Sequence, residues 1–180
     1  MKFRFLFCFL FVTSILSAQK YATRSGKTSF IGSEETFEQI KAVNSVSTAI
    51  VDSSSGDIAI LLFIGAFDFE ISLMQEHFNE NYMDCHQYPK AIFKGELKDF
   101  SKNKLTSDSS FDLDGTLTIK GIEKEIHTKV YLKEENNRLY VTTNFLVKPE
   151  DFDISIPSIV RDKIAKQIQI SIAYELIEKK

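Results

Sequence analysis

The sequence predicts an all-β protein, either a β-sandwich or a closed antiparallel barrel of about eight strands. Apolar and polar residues alternate with a period of two through most of the chain after Gln19, which is typical of strands with one buried face. Turn-forming residues separate these segments at near-regular intervals. The pattern contains no internal repeat and no linker, so it indicates one domain.

The N-terminus predicts a cleaved signal peptide over residues 1–18, followed by one domain over residues 19–180. Lys2 and Arg4 precede an apolar run of about twelve residues, and Ala18 is a small residue suited to cleavage. A membrane-spanning helix needs about 20 apolar residues, so this run is too short to be one. We therefore expect a periplasmic or secreted protein whose mature chain has no transmembrane segment.

Charge and cysteine content limit which partners and which disulfides the mature chain can have. Without Lys2 and Arg4 the 22 basic residues become 20 against 25 acidic ones, a net charge of −5, which gives no indication of a nucleic-acid partner. Cys85 is the only cysteine after the signal peptide, so no internal disulfide can form. We expect a buried or semi-buried, inert thiol; a homodimer linked through Cys85 and a reactive thiol stay open as alternatives.

The predicted strands follow one another with short turns between them. Alternating segments cover 43–51, 56–69, 91–97, 111–121, 125–132, 138–148 and 166–180, and one or two more strands are expected between Gln19 and about residue 32. Turns are expected at 53–57, at Lys120–Gly121 and at 135–137. The alternation changes phase at Gly65–Ala66, which predicts a bulge or a sharp bend there.

Two segments have helical spacing and predict short helices that cover the barrel. The first is 71–81, where Ser72 and Gln75 have the spacing of a capping box. The second is 157–166, which begins with a proline at a first-turn position and aligns Val160 with Ile164.

The inward faces of the predicted strands are rich in phenylalanine. Eleven of the 16 Phe lie after the signal peptide, and the chain has no Trp. An eight-stranded barrel is just wide enough either to be filled by its side chains or to hold one small ligand. Periodicity leaves both alternatives open.

The stretch from Met74 to Gly95 concentrates the residues that could form a chemical site. His77, Cys85 and His86 lie there, but Cys85 and His86 are adjacent, and neighbours on an extended chain point in opposite directions. The chain also lacks the G-x-S-x-G, phosphate-binding and dinucleotide-binding motifs. We predict no catalytic residue, no metal site, no cofactor and no enzymatic activity; a hydrolase with an unrecognised site is the alternative.

Three motifs in this order carry a resemblance to a known family. The pattern Y-P-x-A-x-F occupies 88–93, G-x-L-T-I-x-G occupies 115–121, and D-F-D-I occupies 151–154. Together they resemble the YceI-like family of exported lipid-binding proteins, and the resemblance covers nearly all of the mature chain. The chain departs from the family at Lys120, where a histidine is common.

The resemblance implies an eight-stranded antiparallel lipocalin-like barrel with a long amphiphile lying along its interior. The ligand would be a polyisoprenoid, a quinone or a fatty-acyl lipid, and Tyr82 and Tyr88 would bond its head group at the barrel mouth. The predicted ligand-binding wall consists of Ile60, Leu62, Phe67, Phe69, Phe78, Phe93, Phe111 and Phe145. The alternative is an exported interaction module with a filled core, no small-molecule ligand and an envelope protein as its partner.

Overall fold

A computed structural model describes residues 20–33, 39–105 and 109–179 of the chain. The predicted signal peptide, residues 1–18, lies outside these ranges. Within them, no helix combines the length and the apolar character that crossing a membrane would require.

Eight long strands form one closed antiparallel barrel, which confirms the predicted fold class. The strands are β1 (Lys20–Ser33), β2 (Lys41–Asp52), β3 (Asp57–Phe63), β5 (Lys90–Leu97), β6 (Ser109–Ile119), β7 (Ile122–Glu135), β8 (Arg138–Val147) and β9 (Ile164–Lys179); β4 (Asp68–Phe69) is a two-residue strand paired with the start of β2. Their order is β1-β9-β8-β7-β6-β5-β3-β2, and β2 pairs again with β1.

Two tight turns connect neighbouring strands as the sequence predicts. Lys120 and Gly121, between β6 and β7, have φ of 50° and 77°. Asn136 and Asn137, between β7 and β8, have φ of 52° and 59°. Two successive residues with positive φ match the right-handed twist of the flanking strands. The Lys120 ammonium also donates a hydrogen bond to the carbonyl of Tyr82, 3.2 Å away, and so joins this turn to the segment above the barrel.

One end of the barrel is closed by packed side chains. The residues there are almost completely buried: Tyr21, Val51, Leu97, Leu132, Leu139 and Leu176. The Tyr21 hydroxyl donates to Glu134 Oε1 at 2.7 Å, and burial together with this carboxylate raises the pKa of Tyr21. Phe111 packs against Phe100 at the same end, with ring centroids 5.3 Å apart.

The opposite end is covered by the segment between β3 and β5. A 3-10 turn over Ile64–Ala66 forms the predicted bend, and α1 (Ser72–His77) continues into a π-helical turn over Phe78–Tyr82, which confirms the first predicted helix. The predicted capping box is wrong. Ile71 occupies the N-cap position without a side-chain bond, and the Gln75 amide oxygen instead accepts from the backbone of Phe69 at 3.4 Å.

The second predicted helix, over 157–166, is wrong. Residues 158–163 form successive turns, and β9 begins at Ile164. The hydrogen bonds of this segment, such as Val160 N–H to the Pro157 carbonyl at 3.1 Å, connect residues three apart. The backbone of Ile164 instead pairs with Ser33 of β1. Residues 164–166, which the predicted helix would include, therefore belong to strand β9.

A buried hydrogen-bond chain joins four strands on the inside of the barrel. Tyr174 of β9 and Thr28 of β1 have their hydroxyls 2.6 Å apart, and Thr28 and Ser47 of β2 have theirs 2.9 Å apart. Ser47 donates to Asn44 Oδ1, and the Asn44 amide donates to the carbonyl of Phe63 in β3. A buried polar group is costly unless it is bonded, so this chain favours one relative position of the four strands.

A pair of glycines opposite one another makes room for a large ring on the inner wall. Gly95 of β5 is in register with Gly115 of β6, and the ring of Phe93 lies over both. A Cβ at Gly115 would come within 2.5 Å of both Phe93 Cζ and the Lys94 carbonyl oxygen. Gly115 of the G-x-L-T-I-x-G motif therefore provides the space that Phe93 of the Y-P-x-A-x-F motif occupies.

We expect Gly115→Ala to lower the free energy of unfolding by about 1–3 kcal/mol, because the added methyl overpacks the wall against Phe93 and backbone. Chemical denaturation measures the change. Gly65→Ala is the matched control, since a Cβ there meets nothing within 4 Å; it should be neutral, or stabilising by about 0.4–1 kcal/mol. Equal effects of the two substitutions would contradict the role of the glycine pair.

Candidate functional site

The barrel encloses a cavity of about 580 Å³ that is lined almost entirely by apolar side chains. Its lining comes from seven of the eight barrel strands, with β2 as the exception, and from the two segments at the open end. The volume falls within the range of about 300–1,000 Å³ that is usual for small-molecule sites. The interior is therefore neither fully packed nor wide enough to be a channel.

The threonine hydroxyls that line the cavity are already bonded within the protein. Thr143 Oγ1 donates to the Lys129 carbonyl at 2.7 Å, and Thr128 Oγ1 lies 3.3 Å from Thr143 Oγ1. Thr28 belongs to the buried chain that ends at Tyr174. Because these hydroxyls have partners, the wall offers a ligand methyl groups and hydrocarbon surface, and a hydrocarbon chain fits such a wall.

Four phenylalanines form an interlocked cluster beside the open end. The four are Phe30 of β1, Phe67 just before β4, Phe69 of β4 and Phe78 of the π-helical turn. Their contacting rings have centroids 5.1–5.9 Å apart. Edge-to-face and stacked contacts of this kind add to the stability that burial provides. The rings meet one another on one side of the mouth, and the middle of the barrel stays open.

Strands β7 and β8 separate near the open end and leave a gap in the cavity wall. Their last backbone pair is Val130 with Thr143, and beyond it the two strands separate. Ile126 and Phe145 line the cavity on either side of this separation. The 3-10 turn Pro149–Phe152 lies against β7 and covers the gap.

Eight of the ten residues predicted from the sequence line this cavity. They are Ile60, Leu62, Phe67, Phe69, Phe78, Tyr82, Phe93 and Phe145. Phe111 instead packs on Phe100 at the closed end. Tyr88 lies beside Gly121, outside the lining, and its hydroxyl accepts from the Gln87 amide at 3.1 Å.

Sequence reasoning missed the contribution of residues 149–163 to the cavity. This segment supplies Pro149, Phe152, Ile154, Ile156, Val160 and Lys163 to the lining. Phe152, Ile154 and Ile156 alternate with polar residues, yet this segment forms no strand, so its position at the cavity depends on the tertiary structure. The D-F-D-I motif, which includes Phe152 and Ile154, was the available signal.

Cys85 is half-buried and bonded within the segment above the barrel. Cys85 Sγ donates to Asn79 Oδ1 at 3.4 Å, and burial followed by the nearby Asp84 raises the pKa of the thiol. A raised pKa lowers the thiolate fraction on which nucleophilic reactivity depends. His86 is exposed and outside the cavity lining. In the described ranges, no group of three or more His, Cys, Asp or Glu could hold a metal ion.

Comparison with solved structures shows a similar barrel in three other proteins. A polyisoprenoid binding domain from Saccharophagus degradans, implicated in plant cell wall breakdown, has a TM-score of 0.77 at 14% identity over 90% of this chain and 99% of that one. BcnA from Burkholderia cenocepacia has a TM-score of 0.69 at 14% identity, over 84% of this chain and 95% of that one. A YceI protein from Campylobacter jejuni has a TM-score of 0.64 at 18% identity, over 80% of this chain and 87% of that one.

A comparison with curated proteins finds no match. The family model of the YceI-like domain matches residues 16–176. That range reaches into all eight barrel strands and includes the open-end segments. The chain therefore belongs to the YceI-like family.

Proposed function

We propose that this protein binds one long apolar chain of an isoprenoid, quinone or fatty-acyl lipid in the barrel cavity and carries or sequesters it. The observation that carries the proposal is the apolar cavity, closed at the Tyr21 end and reached from the end covered by α1. Such a space takes an extended tail and leaves a head group at the mouth.

The free energy of binding would come from burial of the chain. Each methylene removed from water contributes about 0.8 kcal/mol, so a few methylenes suffice for a measurable affinity. Because the wall threonines are already bonded, a hydrocarbon chain leaves no wall hydroxyl unpaired when it replaces water. Specificity then depends on cavity length and on the groups at the mouth.

Two further lines support the proposal. The structure from Saccharophagus degradans is described as a polyisoprenoid binding domain, and its barrel is similar to this one. The N-terminal pattern of residues 1–18 favours export, so we place the function in the periplasm or outside the cell. The function proposed is binding, with no chemical step.

The alternative of an interaction module requires an interior filled by side chains. The barrel instead encloses a cavity of about 580 Å³. No observation on the described residues favours a protein partner over a lipid.

We expect Ala91→Phe to weaken binding of a fluorescent long-chain fatty acid roughly tenfold. Ala91 is buried and lines the cavity, so a ring there would displace about two methylenes of the ligand, which costs about 1.6 kcal/mol. Fluorescence titration measures the dissociation constant.

Ala59→Phe is the matched control for that substitution. Ala59 lies on β3 with its side chain exposed on the outer face, so the same ring added there should leave binding unchanged. If both variants bind the probe like the unsubstituted protein, the cavity is not where the lipid lies.

Affinity should also rise with chain length and then level off. For a series of straight-chain alcohols, each added methylene should tighten binding roughly fourfold until the cavity is full. Displacement of the fluorescent fatty acid measures the series. An affinity that does not depend on chain length would be incompatible with a buried tail.

A further inference from the structure

Two basic side chains lie at the open end of the apolar cavity. His77 is the last residue of α1, and Lys163 immediately precedes β9; both line the cavity and both are exposed. They come from different segments. Lys163 precedes β9, whose start pairs with the end of β1, and α1 follows β4, which pairs with the start of β2, so both segments lie at the same end of the barrel.

Neither side chain is engaged elsewhere in the described part of the chain. Ion pairs occupy several other lysines, such as Lys41 with Glu70 at 2.9 Å and Lys129 with Asp112 at 2.7 Å. Neither Lys163 nor His77 has an ion pair or a side-chain hydrogen bond among the described residues. Both are therefore available to a ligand that projects from the mouth.

The described cavity lining contains no carboxylate, although the chain has 25 acidic and 22 basic residues. Glu76 and Asp162 adjoin the two basic residues in sequence, yet neither lines the cavity. The ionisable side chains of the lining are His77, Tyr82 and Lys163. All three can donate a hydrogen bond, and lysine adds a positive charge, so the mouth is suited to an anion.

We propose that the bound lipid ends in an anionic oxygen group, a phosphate or a carboxylate, which Lys163 and His77 hold at the cavity mouth. This inference rests on the proposed function and names its ligand class. The tail occupies the apolar cavity, and the head group stays at the rim in contact with water. A lipid with a neutral head group gains the tail contribution alone.

Three ligands that share one isoprenoid chain test the assignment: geranylgeranyl phosphate, geranylgeranoic acid and geranylgeraniol. Displacement of a fluorescent fatty alcohol gives each dissociation constant. We expect the phosphate and the acid to bind roughly fivefold to tenfold more tightly than the alcohol. Lys163→Gln and His77→Gln should each weaken the two anions roughly twofold to fivefold, as exposed charge pairs do, and leave the alcohol unchanged.

Lys94→Gln and His86→Gln are the matched controls, because they change the same residue types at exposed positions outside the cavity lining. Both should leave all three affinities unchanged. Equal binding of anions and alcohol, or an equal loss for the alcohol in Lys163→Gln, would overturn the head-group assignment and leave the cavity as a lipid site. If none of the three ligands binds, the proposed function fails as well.

Discussion

The pairing of β1 with both β9 and β2 is the constraint on which the rest of the structure depends. It closes eight strands into a ring, so every long strand has a partner on each side, and it sets the width of the interior. At this width the inward side chains can meet at one end and leave space further along. The cavity is a consequence of closure combined with the size of the residues that point inward.

The inward-pointing residues are arranged so that the folded barrel still contains a cavity. Phe93 lies along the wall because Gly95 and Gly115 leave room for its ring. Gly26 does the same for Tyr174, whose hydroxyl then reaches Thr28. The large rings thereby lie along the wall, and the buried hydroxyls bond to each other. An apolar surface remains facing the empty volume.

The two ends of the barrel differ in chemistry, which would orient the proposed lipid along the cavity. The closed end consists of almost fully buried aliphatic residues, with Tyr21 bonded to Glu134 behind them. The open end carries exposed basic groups, His77 and Lys163, on segments outside the regular barrel. A tail favours the first environment and an anion favours the second. In the proposed complex, the segments at the mouth would determine selectivity and the strands would provide the burial.

The sequence by itself indicated about eight antiparallel strands and the first helix, because period-two alternation, helical spacing and turn residues are local properties of the chain. Periodicity left a sandwich and a barrel both open, and the resemblance to the family favoured the barrel. The sequence also indicated the importance of Phe93 and Gly115, although their contact appears only when β5 and β6 come into register. The tertiary structure decided what depends on distant partners. Ile164 joins β9 because β1 is beside it, Phe111 packs at the closed end because Phe100 is there, and Lys163 reaches the mouth because the barrel closes. No local pattern encodes which end of a barrel is filled, since that depends on how side chains from strands far apart in sequence share one volume.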